Sequence, residues 1–173
     1  MSRYLGIDPG LTGAFALLEV QPDGHQLLQV TATPVDFVRV GRGRRRRYAL
    51  DRLNEVLGNL PPVSLAYVEA QSARPGQSAA ATFTTGFGDG MWRALLTAHL
   101  IPFAVVSPQR WRSRVGVSTA TAIPKEARKA AVRIAASRRF PAFPIKLEHA
   151  DAVMLAVAAA LEHDADQRAE TYA

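Results

Sequence analysis

Four acidic residues stand where they could share one site. Asp8 ends the short apolar run Tyr-Leu-Gly-Ile, which predicts a buried strand, and Pro-Gly follows at once as a turn signal. Glu69 ends a second apolar run in the same way. Glu148 and Asp151 are three residues apart at the start of a segment rich in Ala, Val and Leu. In a helix, this spacing puts both acids on one face, with about 4.5 Å of axial rise between them.

Carboxylates gathered at one edge of a sheet can hold divalent cations. If the strands that end in Asp8 and Glu69 are parallel neighbours, both side chains emerge at the same edge. In phosphodiester hydrolysis, a pair of Mg²⁺ ions about 3.5–4 Å apart activates water and stabilises the leaving oxygen. Hard oxygen ligands and the absence of Cys favour Mg²⁺ or Mn²⁺ over zinc. We therefore expect two such ions at a site made by Asp8, Glu69, Glu148 and Asp151.

Each acid taken alone has an ordinary structural explanation. The Asp side chain of an Asp-Pro-Gly sequence usually bonds the backbone of its own turn. Acids in the first turn of a helix interact favourably with the helix dipole. However, two carboxylates on a largely apolar segment are costly to bury without a counter-ion. Four acids in this order favour the metal-binding interpretation.

The intervening sequence predicts an α/β domain that would position these acids. Two strands, 14–20 and 26–33, flank a Pro-Asp-Gly turn, which indicates an antiparallel start. We expect a five-stranded mixed sheet, three antiparallel strands and then parallel ones, in a single domain over 1–163 with a frayed tail at 164–173. Trp111 is expected to pack on the sheet. The other predicted strands cover 63–69 and 102–106, and the predicted helices cover 49–57, 79–100, a short segment from 107, 125–139 and 148–163.

The composition indicates a folded globular protein. Of 173 residues, 48% are hydrophobic, and there is no apolar run of about 18 residues that would predict a transmembrane helix. The N-terminus lacks the basic region of a signal peptide. We therefore expect no membrane association, and the absence of Cys favours a reducing cytoplasm.

The net charge of +6 is concentrated in one segment. Six arginines and no acid lie between Arg39 and Arg47, so the remainder of the chain is close to neutral. Segment 34–48 lacks periodicity, and we expect an exposed, mobile loop that becomes ordered when bound. Arginine grips phosphate with a bidentate fork, which favours nucleic acid as the partner over a merely solvated loop. The candidate DNA contacts in this segment are Arg42, Arg44, Arg45, Arg46 and Arg47.

The order of elements and four short motifs resemble the RuvC-like Holliday junction resolvases of the RNase H-like superfamily. The similarity extends over nearly the whole chain, from Tyr4 to about Leu161. The four motifs are Gly6-Ile7-Asp8-Pro9-Gly10, Val68-Glu69, Lys125-Glu126 and His149-Ala150-Asp151-Ala152. The stretches that are similar to phage and organelle members are Ser72–Gln77, Phe83–Gly88 and Ser107–Trp111.

This resemblance implies a homodimeric, metal-dependent endodeoxyribonuclease that resolves four-way or branched DNA by paired nicks. It also implies a bacterial or phage-infected host cytoplasm, or an organelle. Asp8 and Glu69 match the first two acids of the family, and Asp151 matches the last. Glu148 falls at the third position, with His149 as the alternative ligand. The helix over 79–100 mixes glycines with large apolar residues and is the candidate dimer interface.

Further residues are candidates for contacts with DNA. Lys125 matches a basic family residue near the scissile phosphate, and Lys129 lies on the same predicted helix. Arg74 and Gln77 carry donors that could read bases beside the second acid. One departure from the family is Ser72, which stands where the standard enzyme has an aromatic wedge. Junction opening must then use other residues, or the substrate differs.

Two other functions remain open from the sequence. A non-catalytic nucleic-acid-binding protein could use the same RNase H-like scaffold. An actin-like ATPase has a related fold, and Asp8-x-Gly10-x-Thr12 resembles its phosphate-binding turn. That fold needs two lobes, whereas 173 residues accommodate one. Metal-dependent nicking of branched DNA would separate the nuclease from both alternatives.

Overall fold

The computed structural model describes residues 1–73, 75–120 and 122–171, except for the side chains of residues 164 and 166–171. A five-stranded mixed sheet lies at its centre, as predicted. The strands are β1 (Ser2–Asp8), β2 (Ala14–Gln21), β3 (Gly24–Ala32), β4 (Val35–Val40), β5 (Gly43–Tyr48), β6 (Leu65–Glu69) and β7 (Phe103–Val106). The order across the main sheet is β3-β2-β1-β6-β7. The first three strands are antiparallel, whereas β1, β6 and β7 run parallel.

Helices cover both faces of this sheet. They are α1 (Leu50–Gly58), α2 (Ala79–Ala98), α3 (Pro108–Arg114), α4 (Lys125–Arg139) and α5 (Ala150–Thr171). Because side chains alternate along β1, each face has its own core. Tyr4 packs with α3, α4 and α5, whereas Leu5 and Ile7 pack with α1 and α2. Ser107 caps α3 as predicted, accepting a hydrogen bond from the backbone N–H of Arg110 at 3.3 Å.

The arginine-rich segment is a β-hairpin, so the prediction of a mobile loop over 34–48 is wrong. Strand β4 pairs antiparallel with β5, and Val35 lies opposite Tyr48. The turn between them begins at Gly41, whose φ of 59° suits the tight hairpin turns that glycine favours. The sequence of β5 does not predict a strand, because four consecutive arginines lack the apolar alternation that is typical of strands. Backbone pairing with β4 forms it instead.

The last helix begins later than predicted. Leu147–His149 forms a 3-10 turn, and α5 begins at Ala150. The prediction that one α-helix carries both Glu148 and Asp151 is therefore wrong. Asp151 lies in the first turn of α5, whereas Glu148 lies in the tighter turn that precedes it.

The same helix also continues further than predicted. Its backbone is helical to Thr171, past the predicted end at His163, so the tail expected to fray is helical up to that residue. Residues 172 and 173 lie outside the described part of the chain. In the described residues, no helix is both long and apolar enough to cross a membrane.

Close packing of α5 against β1 depends on Gly6. A Cβ at this position would lie 2.0 Å from the carbonyl oxygen of Ala152 and 2.3 Å from the backbone nitrogen of Ala156. A residue without a side chain therefore lets the helix approach the strand this closely. The contact brings the first turn of α5, and Asp151 with it, to the end of β1 where Asp8 lies.

Replacing Gly6 should disturb this packing. We expect Gly6→Ala to push α5 away from the sheet and to lower the free energy of unfolding by about 1–3 kcal/mol, the usual cost of overpacking a core. Gly43→Ala is the matched control, because its Cβ would meet nothing nearer than 3.8 Å. Urea unfolding of both variants measures the difference. Equal stability of the two variants would contradict the proposed role of Gly6.

Candidate active site

Two parallel strands deliver Asp8 and Glu69 to one edge of the sheet. Strands β1 and β6 are neighbours, with Ile7 opposite Val68, so both acids follow this pair at the same end. The expectation that the two carboxylates share an edge is therefore confirmed. Asp8 also makes the contact typical of Asp-Pro-Gly turns, because its Oδ1 accepts a hydrogen bond from the backbone N–H of Gly10 at 3.3 Å.

Asp151 joins them to make a group of three partly buried acids. Burial raises the pKa of Asp8, and the charge of Asp151 raises it further. Burial also raises the pKa of Asp151. The pKa of Glu69 is raised to about 7, first by burial and then by the charges of Asp8 and Asp151. The free energy of ionising the group is therefore high unless positive charge lies beside it.

Helix α3 supplies a hydrogen-bond donor and a positive charge to these acids. The indole N–H of Trp111 donates to Oε1 of Glu69 at 3.0 Å. The guanidinium of Arg112 lies 3.7 Å from the same oxygen and 4.0 Å from Oδ2 of Asp151. Both groups lower the pKa of Glu69 and so offset part of its rise. Arg112 also lowers the pKa of Asp151.

Sequence reasoning missed the roles of these two residues. Trp111 packs on the sheet as expected and is fully buried, but it also orients a carboxylate. Arg112 received no role at all. The signal that could have found it is its place directly after a buried Trp, on a helix that starts where β7 ends at the same edge of the sheet.

Lys129 is a further cation whose charge acts on this site. It lowers the pKa of Asp8 and that of Asp151 from its exposed position on α4. Lys125 begins the same helix, one turn earlier. Its assignment near the scissile phosphate stays a prediction.

The third predicted ligand lies outside these contacts. Glu148 is exposed in the 3-10 turn, and the partly buried His149 follows it. Burial lowers the pKa of His149, which favours the neutral imidazole that binds metals. Neither residue is among the groups that act on the pKa of the three carboxylates. The choice between them stays a prediction.

The β4–β5 hairpin, which carries the arginines and is called the arginine hairpin below, is anchored beside Asp8. The buried hydroxyl of Tyr48, the last residue of β5, donates to the carbonyl oxygen of Pro9 at 2.9 Å. Burial and the charge of Asp8 raise the pKa of this hydroxyl to about 12. Gly88 of α2 admits the ring, because a Cβ there would lie 2.1 Å from the Tyr48 hydroxyl oxygen. The base of the hairpin is therefore fixed next to the carboxylates.

The arginines of the hairpin lie on both of its faces. The guanidinium groups of Arg44 and Arg46 lie over the exposed ring of Phe37, 5.2 and 5.8 Å from its centre. Arg45 and Arg47 alternate with them and therefore point to the opposite face. All four side chains are exposed, and Arg42 is exposed in the turn. Because Nε of Arg47 lies 3.9 Å from Oδ2 of Asp36, part of its charge is compensated, and the exposed positive charge comes mainly from Arg44 and Arg46 on one face and Arg45 on the other.

The loop after Glu69 is described only in part. Arg74, a predicted base-reading residue, lies outside the described residues. The side-chain amide of Gln77 donates to Oγ1 of Thr85 on α2 at 3.1 Å. Ser72 is exposed. The assignment of Arg74 and Gln77 to DNA contacts stays a prediction.

The three carboxylates fit a divalent cation by their chemistry. They offer hard oxygen donors, which suit Mg²⁺ or Mn²⁺, and the raised pKa of each shows that nearby positive charge would stabilise their ionised forms. In the part of the chain that is described, no group of three acidic or histidine side chains already has the arrangement of a metal site. Arg112 lies within 4.0 Å of two of these acids.

No protein-family model and no curated protein matches the chain. Among solved structures, it is similar to Thermus thermophilus RuvC in complex with a Holliday junction substrate, with a TM-score of 0.66, 16% sequence identity, and coverage of 94% of this chain and 96% of that one. A second structure of Thermus thermophilus RuvC gives a TM-score of 0.64 at 16% identity, covering 95% and 96%. The chain therefore has the RNase H-like fold of the RuvC Holliday junction resolvases, as its motifs predicted.

Proposed function

We propose that this protein is a divalent-metal-dependent endodeoxyribonuclease that cuts four-way or branched DNA by paired nicks, as a homodimer. The observation that carries the proposal is the meeting of Asp8, Glu69 and Asp151 at one edge of a RuvC-like sheet. The fold by itself is compatible with a DNA-binding protein that lacks activity. A group of acids with raised pKa values is instead typical of a catalytic site.

The three carboxylates would hold the metal, with Glu148 or His149 as a further ligand. When bound, Mg²⁺ or Mn²⁺, two ions per site, supplies an activated water and stabilises the leaving oxygen. The indole of Trp111 fixes one oxygen of Glu69 and so limits its rotation. Lys129, whose charge lowers the pKa of Asp8 from an exposed position on α4, would attract the phosphodiester towards the carboxylates.

The substrate class is supported by the arginine hairpin and by the similar structure. That structure is a complex of RuvC with a Holliday junction substrate. Here, the hairpin carries exposed arginines and its base is anchored to Pro9, next to Asp8, so the arginines would contact phosphates of a DNA arm that enters the site. Such contacts hold the substrate in register without reading its bases.

The dimer is supported by the surface of α2. Phe83 is 75% exposed and Phe87 is 46% exposed, and their four-residue spacing puts both on one face of the helix, where an exposed apolar patch is typical of an interaction surface. A Cβ at Gly86 or Gly90 would meet nothing within 4 Å, so these glycines leave open space where a second helix could approach. A two-fold dimer also matches the approximate two-fold symmetry of a four-way junction and its two nicks.

Loss of a single carboxylate tests the catalytic proposal. Asp8→Asn keeps the shape of the side chain but removes the charge that holds the metal. We expect Mg²⁺-dependent cleavage of a four-way junction to fall by more than about 100-fold. Loss of a metal ligand itself should cost more activity than loss of a residue that only supports a ligand. Junction binding should persist. The control Asp23→Asn changes an exposed acid in the β2–β3 turn and should cleave normally.

The same cleavage assay compares Glu148 with His149 as the third ligand and also compares possible substrates. Glu148→Gln should cost more activity than His149→Ala, and the reverse ranking would assign the ligand to His149. Four-way, flap and RNA–DNA substrates compared side by side define the specificity. Substantial cleavage by Asp8→Asn would refute the site assignment.

The hairpin can be tested by the salt dependence of binding. Changing Arg44, Arg45, Arg46 and Arg47 to Gln should flatten the slope of log affinity against log salt concentration by about 2–4, because each lost phosphate contact removes about 0.9. The pairs Arg44/Arg46 and Arg45/Arg47, changed separately, identify which face of the ribbon contacts DNA. The preferred cleavage sequence should survive in every variant. An unchanged slope in the fourfold variant would make the hairpin a merely solvated surface.

The dimer interface can be tested by adding bulk to α2. Gly86→Leu or Gly90→Leu should weaken the dimer, while folding is preserved because both positions face open space in the single chain. Analytical ultracentrifugation at micromolar concentration, with the wild type as reference, measures the change. A monomeric wild type under these conditions would contradict the proposal.

A further inference from the structure

We propose that Arg112 is an internal cation that holds the carboxylate group together until a divalent metal ion displaces it. The inference rests on the proposed metal-dependent nuclease and names a positioning residue for its metal site. It starts from the position of the guanidinium, whose Nη2 lies 3.7 Å from Oε1 of Glu69 and 4.0 Å from Oδ2 of Asp151. One positive charge thus bridges two acids that come from different elements of the fold.

Burial strengthens the electrostatic interaction between Arg112 and the two acids. The side chain of Arg112 is 17% exposed, and those of Glu69 and Asp151 are 13% and 15% exposed. Charges that are shielded from water interact more strongly than surface pairs. Without Arg112, the neighbouring acids would repel each other with less compensation, and their pKa values would rise further.

The position of Arg112 is set by α3. Its guanidinium lies 4.8 Å from the centre of the Trp111 ring, and that ring is fully buried. Ser107 caps the helix, and Pro108 occupies its first turn, so the backbone is fixed where β7 ends. A cation over a Trp face gains a further attraction. The arginine is therefore held over the acids by the fold rather than by chance packing of a surface side chain.

The same contacts leave Arg112 displaceable. Both distances to the acids exceed those of good charge-assisted hydrogen bonds, which are about 2.7–2.9 Å. Among the described residues, its buried Nε has no hydrogen-bond partner, which lowers the cost of moving the group. A divalent cation on Glu69 and Asp151 would repel the guanidinium, so the two cations compete for the same oxygens.

The competition predicts a direct effect on metal affinity. In Arg112→Gln, we expect Mn²⁺ to bind about 10-fold more tightly, within the range of coupling between neighbouring charges. The metal-free variant should also melt at a lower temperature than the wild type, and Mn²⁺ should raise its melting temperature by more. Arg112→Lys should restore affinity near that of the wild type, because it restores the charge.

Isothermal titration with Mn²⁺, without DNA, and thermal unfolding with and without Mn²⁺ measure these effects. Arg114→Gln is the matched control, because Arg114 lies on the same helix but donates to the carbonyl oxygen of Leu161, away from the acids. Its Mn²⁺ affinity should equal that of the wild type. Arg112→Met keeps the length of the stem against Trp111 and gives a second neutral variant if Arg112→Gln does not fold.

The outcomes separate this inference from the proposed function. Unchanged or weaker Mn²⁺ binding in both neutral variants, with a wild type that binds Mn²⁺ and cleaves junctions, would overturn the role of Arg112 and leave the nuclease standing. A wild type that neither binds Mn²⁺ nor cleaves DNA would overturn both.

Discussion

Burial of three neighbouring carboxylates, together with the repulsion among them, is the constraint on which this site depends. Asp8, Glu69 and Asp151 cannot all be ionised at low cost without positive charge. Burial first, and then the charges of Asp8 and Asp151, raise the pKa of Glu69 to about 7. Two cations partly compensate this negative charge: Arg112 lies between two of the acids, and Lys129 acts on the acids from an exposed position on α4. A divalent cation would compensate the same charges more completely, which links the electrostatics of the site to its proposed chemistry.

Three contacts distant in sequence create this constraint. The parallel pairing of β1 with β6 aligns the ends of two strands, and Gly6 lets α5 approach close enough to bring the third acid. Trp111 then orients Glu69 from a fourth element, α3. The apolar cores on the two faces of the sheet stabilise all of these elements. A site of this kind is therefore a property of the whole domain rather than of one motif.

The sequence predicted the structural features that depend on local residue patterns. It missed those that depend on contacts between residues distant in sequence. Apolar runs that end in an acid predicted β1, β6 and the shared edge. The β4–β5 hairpin was missed because its arginines lack apolar alternation, so that backbone pairing and stacking of arginines on Phe37 define it. The role of Arg112 depends on where α3 packs, and the 3-10 turn before α5 depends on tertiary fit. The turn has no signature in residue spacing, and the signal for Arg112 was its place directly after Trp111 rather than a spacing.

Anomalous X-ray scattering from Mn²⁺ in crystals of the protein would locate the metal relative to the three carboxylates and Arg112. We expect a Mn²⁺ peak coordinated by carboxylate oxygens of Asp8, Glu69 and Asp151, with the guanidinium of Arg112 moved away from them, and no such peak in crystals of Asp8→Asn. A Mn²⁺ peak elsewhere alone, or no peak at saturating Mn²⁺ in the wild type, would refute this metal site.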